Sequence, residues 1–78
     1  MVHVIKADNM LIYTNKDKMK LIKGLESYRL KNKLSQRKLG EIVGVHYTTI
    51  NEWERGKRKP NKIQTYNIME FLKKHKID

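Results

Sequence analysis

The feature that most limits how this chain folds is the punctuation between Leu34 and Gly56. Ser35 is a strong helix N-cap, because its hydroxyl can accept from an amide of the first turn. Lys38 stands where a reciprocal capping carboxylate would be, so the helix start at Ser35 and Gln36 stays electropositive and open to an anion such as phosphate. Gln36 to Val43 then reads as a two-turn helix with Leu39, Ile42 and Val43 on one face. Gly44 stops it, since glycine enters the left-handed conformation of a tight helix exit without steric cost. A second short helix follows from His46 or Tyr47 to Glu54, with Ile50 and Trp53 facing inward and Thr48, Thr49, Asn51 and Glu52 facing outward, and Arg55-Gly56 ends it.

The flanks have different patterns. In residues 1–15, Val2, Val4, Ile5, Met10, Leu11, Ile12 and Tyr13 crowd around a possible turn at Asp8-Asn9. A hairpin there would oppose Ile5 to Ile12 and Val4 to Tyr13; a dimer-forming strand, a helical extension and a free arm are the other readings. From Lys16 to about Lys33 the spacing is helical, with Met19, Ile22 and Leu25 in one set and Leu21, Leu25 and Tyr28 in another. Its lysines fit a solvated face or phosphate contact. After the basic loop Lys57 to Lys59, Pro60 suits the first turn of a last helix ending near His75. The apolar stripe of that helix is Ile63, Tyr66, Met69 and Leu72, or Ile68 and Phe71.

Seventy-eight residues suffice for one small domain with a thin core. Eighteen Lys and Arg against eight Asp and Glu give a net charge of +10, a field that attracts nucleic acid or an anionic membrane. Without cysteine there are no disulfides and no thiolate sites, which is compatible with a reducing cytoplasm. The apolar runs are too short to cross a bilayer, and the N-terminus lacks the charged and apolar regions of an export signal. No membrane role is expected, and the location is cytoplasmic, nucleoid-associated when DNA is bound.

Two short helices joined by a glycine-centred turn make a helix-turn-helix unit, here residues 36–55, in which packing on the first helix presents the second to the major groove. A small residue belongs where the helices cross, and Gly40 supplies it. Leu39, Val43, Val45, Ile50 and Trp53 supply the apolar contacts. The segments Leu34-Ser35-Gln36, Leu39 to Val45, Thr49 to Gly56 and Lys59-Pro60 resemble the phage-repressor and Cro type of helix-turn-helix family, over about Leu21 to Leu72. Trp53-Glu54-Arg55-Gly56 with Lys59-Pro60 is the most specific part. Two positions depart: Gly40 replaces the usual Ala, at about 1 kcal/mol of helix propensity, and His46 replaces the usual capping Ser or Thr.

The resemblance implies an all-α, compact four- to five-helix lambda-repressor-like DNA-binding domain over residues 16–78, preceded by the hairpin, strand or arm of residues 1–15. It also implies sequence-specific binding to double-stranded DNA, usually as a homodimer on an inverted repeat. By position, Tyr47, Thr48, Asn51 and Glu52 would face base edges. Thr can pack its methyl on thymine, Asn suits adenine, and Glu can accept from the cytosine amino group or merely restrict docking by repelling phosphate. Gln36 would touch a phosphate or brace the reading side chain, and Thr49 would approach the backbone. Arg37, Lys38, Arg55, Lys57, Arg58 and Lys59 lie where they can clamp the flanking phosphates. Arg29 and Glu54 resemble an ion pair of the family, and Trp53 a core residue.

Catalysis is not expected. His3, His46 and His75 are scattered, no carboxylate pair is identifiable, and no cofactor or metal is implied. The expected function is a transcriptional regulator, by default a repressor. The alternative is an antitoxin or adaptor that uses the same fold and engages a protein partner through residues 1–14.

Overall fold

The computed structural model describes residues 13–75, and the readings placed on residues 1–12 lie outside them. Among the described residues there are four helices and no strands: α1 (Asn15–Lys31), α2 (Gln36–Val43), α3 (Tyr47–Glu54) and α4 (Lys62–His75). The fold is the expected small all-α lambda-repressor-like domain, with four helices described.

Each helix start has a local cause. Thr14 caps α1 through a reciprocal box, its hydroxyl accepting from the Asp17 amide while the Asp17 carboxylate accepts from the Thr14 amide. That box places the start at Asn15, one residue before the expected Lys16. The helix ends at Lys31 rather than Lys33, because Lys33 turns the chain with a φ of 55° and the Asn32 side chain donates to the Tyr28 carbonyl. Ser35 caps α2 by accepting from the Lys38 amide at 2.9 Å. Gly44 closes α2 at φ 78°, and the Val45 amide turns back to the Gly40 carbonyl.

His46 caps α3 through its ring: Nδ1 accepts from the Thr48 amide at 3.3 Å and lies 2.9 Å from the Thr48 hydroxyl. An imidazole thus takes over the work of the usual hydroxyl, and α3 begins at Tyr47. The last helix corrects an expectation. Pro60 is buried and lies ahead of α4, whose entry is fixed by Asn61 and Gln64, each side chain accepting from the other's amide.

Six side chains make the core: Ile22 and Leu25 from α1, Leu39 from α2, Ile50 and Trp53 from α3, and Ile68 from α4. Leu21, Tyr28, Val43, Val45, Phe71 and Leu72 pack around them. The α4 stripe is therefore Ile68 and Phe71, joined by Leu72 and the fully buried Thr65, whose hydroxyl donates to the Asn61 carbonyl. The Ile63 and Tyr66 stripe is not the buried one, since Ile63 is 71% exposed and Tyr66 is exposed too. Met19 and Ile42, both expected inward, are also exposed. Three-residue spacing defines a face but not its edges, and in so small a core the edge positions stay in water.

The crossing of α2 and α3 depends on Gly40. A β-carbon there would lie 2.5 Å from the Val45 carbonyl oxygen and 3.3 Å from the Tyr47 amide nitrogen. Backbone thus passes where a side chain would begin, and the two helices of the unit meet over a shorter turn than an alanine allows. Tyr13 closes the other end of the domain, its hydroxyl 3.7 Å from the Met69 sulfur. Burial raises the pKa of this phenol, with Tyr66 and Glu70 adding to the effect.

Candidate nucleic-acid interface

The outer surface of α3 and the start of α2 bring most of the sequence-selected residues together. Tyr47 and Thr48 are exposed in the first turn of α3, and Asn51 is half-buried one turn further on. Tyr47 is held from two sides. The His46 ring stacks on it with centroids 4.6 Å apart, and the Arg37 guanidinium lies 4.6 Å from its ring centre. A cation over an aromatic face is an attractive pairing, so Arg37 is tethered from α2 to the tip of α3. Sequence reading placed Arg37 and Tyr47 in separate roles. The signal for their contact is their placement, the first turn of α2 and the first residue of α3, which the Gly44 turn folds together.

Behind this surface runs a chain of hydrogen bonds. Arg29 of α1 donates from Nε and Nη2 to the two carboxylate oxygens of Glu54, each at 2.8 Å, and from Nη1 to the Leu34 carbonyl at 3.1 Å. Gln36 donates to the same carboxylate at 2.9 Å and accepts from the Asn51 amide group at 3.3 Å. The Arg29–Glu54 pair is thus present, and it is bidentate. The hydrogen bonds to Glu54, with its charge, raise the Arg29 pKa against the opposing effect of burial. The guanidinium therefore keeps its charge at any working pH.

One consequence concerns Gln36. Its side chain ties Asn51 to Glu54 and through it to Arg29. Glu52 differs from a free acceptor. Its carboxylate lies 3.2 Å from Arg58 Nε, and its backbone carbonyl accepts from the Lys57 and Arg58 amides. The basic loop is thereby folded back onto the end of α3. Thr49 is half-buried, and Arg55, Lys57 and Lys59 are exposed beyond the C-terminal end of α3. Lys38 is exposed on the first turn of α2, 3.7 Å from Glu41.

Arg37 therefore stands at the N-terminal end of α3, with Lys38 next to it in sequence, and Arg55 with residues 57–59 follows the C-terminal end. A surface with polar side chains between two cationic borders can meet base edges at its centre and phosphates at its margins. Trp53 is core, only 4% exposed, and does not reach this surface. Among the described residues no three His, Cys, Asp or Glu side chains gather as a metal would require, and no helix is long and apolar enough to cross a membrane.

A family model described as helix-turn-helix matches residues 25–76. Neither a curated protein nor a solved structure matches the chain. The matched span holds both helices of the unit, the Gly44 turn, the Arg29–Glu54 brace and all of α4, so the match and the fold agree. The chain belongs to the phage-repressor and Cro type of helix-turn-helix family, a family of DNA-binding transcription regulators.

Proposed function

We propose that this chain is a sequence-specific repressor that binds an inverted-repeat operator in double-stranded DNA as a homodimer, with residues 16–78 as the DNA-binding unit and α3 in the major groove. The observation that carries this reading is the relay Arg29–Glu54–Gln36–Asn51, which anchors an outward amide on α3 to the body of the domain. A side chain held in this way meets a base with its orientation already set, and its ordering cost is met in the folded protein rather than on binding.

In this reading Asn51, Thr48 and Tyr47 contact bases. Asn51 supplies the bidentate geometry that suits adenine. Glu52 keeps Arg58 in place, and reads a cytosine amino group only by giving up that pair. Arg37, Lys38, Arg55, Lys57, Arg58 and Lys59 hold the flanking phosphates, with Thr49 near the backbone. If about five of these six make phosphate contacts in each subunit, the log-log salt slope is near −4.5. The protein acts in the cytoplasm, on the nucleoid.

The test is selection of bound duplexes from a random pool at about 150 mM salt, where long-range attraction is screened. An inverted repeat is the expected product, its half-sites spaced by the distance between two recognition helices. Enrichment of a single half-site would reject the symmetric dimer. No enrichment by folded protein would reject operator reading.

A further inference from the structure

The hydroxyl of Thr48 is engaged within the protein before any DNA arrives. It lies 2.9 Å from His46 Nδ1, and the same ring nitrogen faces the Thr48 backbone amide at 3.3 Å. A hydroxyl has one proton to donate and lone pairs with which to accept, whereas a neutral imidazole carries its proton on only one nitrogen. Which partner supplies the proton of the 2.9 Å contact therefore decides what Thr48 has left to offer a base.

The amide fixes that choice. A backbone N–H only donates, so the nitrogen it points at is bare and the ring proton belongs on Nε2. A protonated Nδ1 would set two N–H groups against each other, and a ring turned over would set a carbon against the amide. The plane of the ring is held too: it stacks on Tyr47 with centroids 4.6 Å apart and planes 29° from parallel, and Arg37 in turn covers Tyr47 at 4.6 Å. With Nδ1 bare, the proton in the contact is the hydroxyl's own. Thr48 donates inward, and on this exposed residue only the lone pairs of its oxygen are left to face outward.

Given α3 in the major groove, on which this inference rests, we propose that His46 is a positioning residue for base reading: it makes the Thr48 hydroxyl an acceptor only, so that Thr48 selects an exocyclic amino group, adenine N6 or cytosine N4, over guanine O6 and N7 and thymine O4. A hydroxyl free to rotate accepts from the first kind of group or donates to the second, and separates them poorly. One whose proton is already taken sets lone pair against lone pair at an acceptor edge, and rejection of the wrong partner is a source of specificity in its own right. The lone pair that caps α3 thus also sets what its second residue reads.

The ring is tested first without DNA. Long-range proton–nitrogen spectra of the full chain at about pH 8, above the ordinary imidazole range, should show the His46 proton on Nε2 and a bare Nδ1; the opposite tautomer would overturn the proposal. Selection of duplexes with the parent and with Thr48→Val, which loses the hydroxyl and keeps the shape, should then mark the base pair read by Thr48 as the one where preference relaxes. At that pair, an adenine or cytosine analogue without the amino group should bind the parent about five-fold more weakly, the worth of one hydrogen bond. A purine whose N7 is replaced by carbon should bind as before, and Thr48→Val should not respond to loss of the amino group. His46→Ser keeps a capping hydroxyl and so the melting temperature, yet should shrink the effect of amino removal to under about two-fold, because the freed Thr48 hydroxyl turns to donate instead. No pair relaxed by Thr48→Val, no effect of amino removal on the parent, a loss on N7 replacement, or an undiminished effect in His46→Ser would each overturn the proposal alone. A parent that selects no duplex would overturn the operator reading, and this inference with it.

Discussion

Glu54→Ala removes the residue on which three helices converge, and the size of its effect follows from the contacts. Glu54 accepts two hydrogen bonds from Arg29 and one from Gln36, and the Arg29 and Glu54 side chains are only 15% and 9% exposed. Truncation strands a guanidinium that cannot shed its charge, since its raised pKa is already beyond the range where proteins are stable. Removing one partner of a buried pair costs about 3–5 kcal/mol. The lower end applies here, because Arg29 keeps its bond to the Leu34 carbonyl and water can reach it at the margin. A loss of about 3 kcal/mol is a large part of the ~4–12 kcal/mol that a domain of this size holds. At roughly 4–8 °C per kcal/mol, the melting temperature should fall by about 12–24 °C.

Replacing both residues together is a sharper test. Arg29→Met with Glu54→Leu removes both charges and should sit within about 1 kcal/mol of the parent, since apolar substitutes for a buried pair are often neutral. Thermal melts of the two singles and the double close a thermodynamic cycle that isolates the coupling. Asn51 loses its tie to Glu54 in the Glu54 single and in the double but keeps it in Arg29→Met, so DNA discrimination should weaken in the double even where stability is restored. If Glu54→Ala melts within about 3 °C of the parent, the brace carries no weight and the reasoning is wrong.

Four other outcomes follow from the same geometry. Gly40→Ala gains about 1 kcal/mol of helix propensity, but puts a β-carbon 2.5 Å from the Val45 carbonyl oxygen, and overpacking against backbone costs ~1–3 kcal/mol; a net loss of about 1 kcal/mol should appear in denaturant melts, and a stabilised variant would show that the turn relaxes freely. His46→Ala should cost about 1 kcal/mol through loss of the α3 cap while His46→Ser restores it, and equal melts for the two would count against capping by the ring. Lys57→Gln should weaken binding to every duplex alike and make the salt slope shallower by about one unit; a change in sequence preference instead would place Lys57 among the base readers. Tyr13 has a raised pKa, so its stabilising contribution is present below the ordinary phenol value of 10.0 and is lost as pH rises through the folded value; Tyr13→Phe should lose less stability than the parent between pH 9 and pH 11, within about one unit of that value, and identical alkaline profiles would refute the assignment.

Much of the fold is legible where a single residue has a single physical reason to be there. Ser35, Gly44 and the Arg55-Gly56 break bound the two short helices where the structure has them, because a cap hydroxyl and a positive φ are local demands. The family resemblance carried the Arg29–Glu54 pair, which no local pattern shows across so many residues. Faces were less readable. Ile63 and Tyr66 share their helical spacing with Ile68 and Phe71, and only the packing of α1 against α4 decides which stripe is covered. The box at Thr14 and Asp17 is legible in cap spacing, but the apolar spacing that points to a start at Lys16 does not register it. At the candidate interface, residue types gave chemistry without partners. The tie from Gln36 to Asn51, the Arg37 cover on Tyr47 and the Glu52–Arg58 pair all join side chains that the sequence presents separately.

The central claim is that the outward face of α3 reads bases while the cationic borders only hold the backbone. It is tested most directly by measuring affinity for a selected duplex and for a scrambled duplex across a salt series, with the parent and with Asn51→Ala. Both affinities of the parent should fall steeply with salt, while their ratio holds at about a thousand-fold or more. Asn51→Ala should cut that ratio by about ten-fold or more, the ~1–3 kcal/mol of one bidentate base contact, and leave the scrambled duplex bound as before. A ratio near one at every salt concentration, or an Asn51→Ala protein with the ratio of the parent, would contradict it.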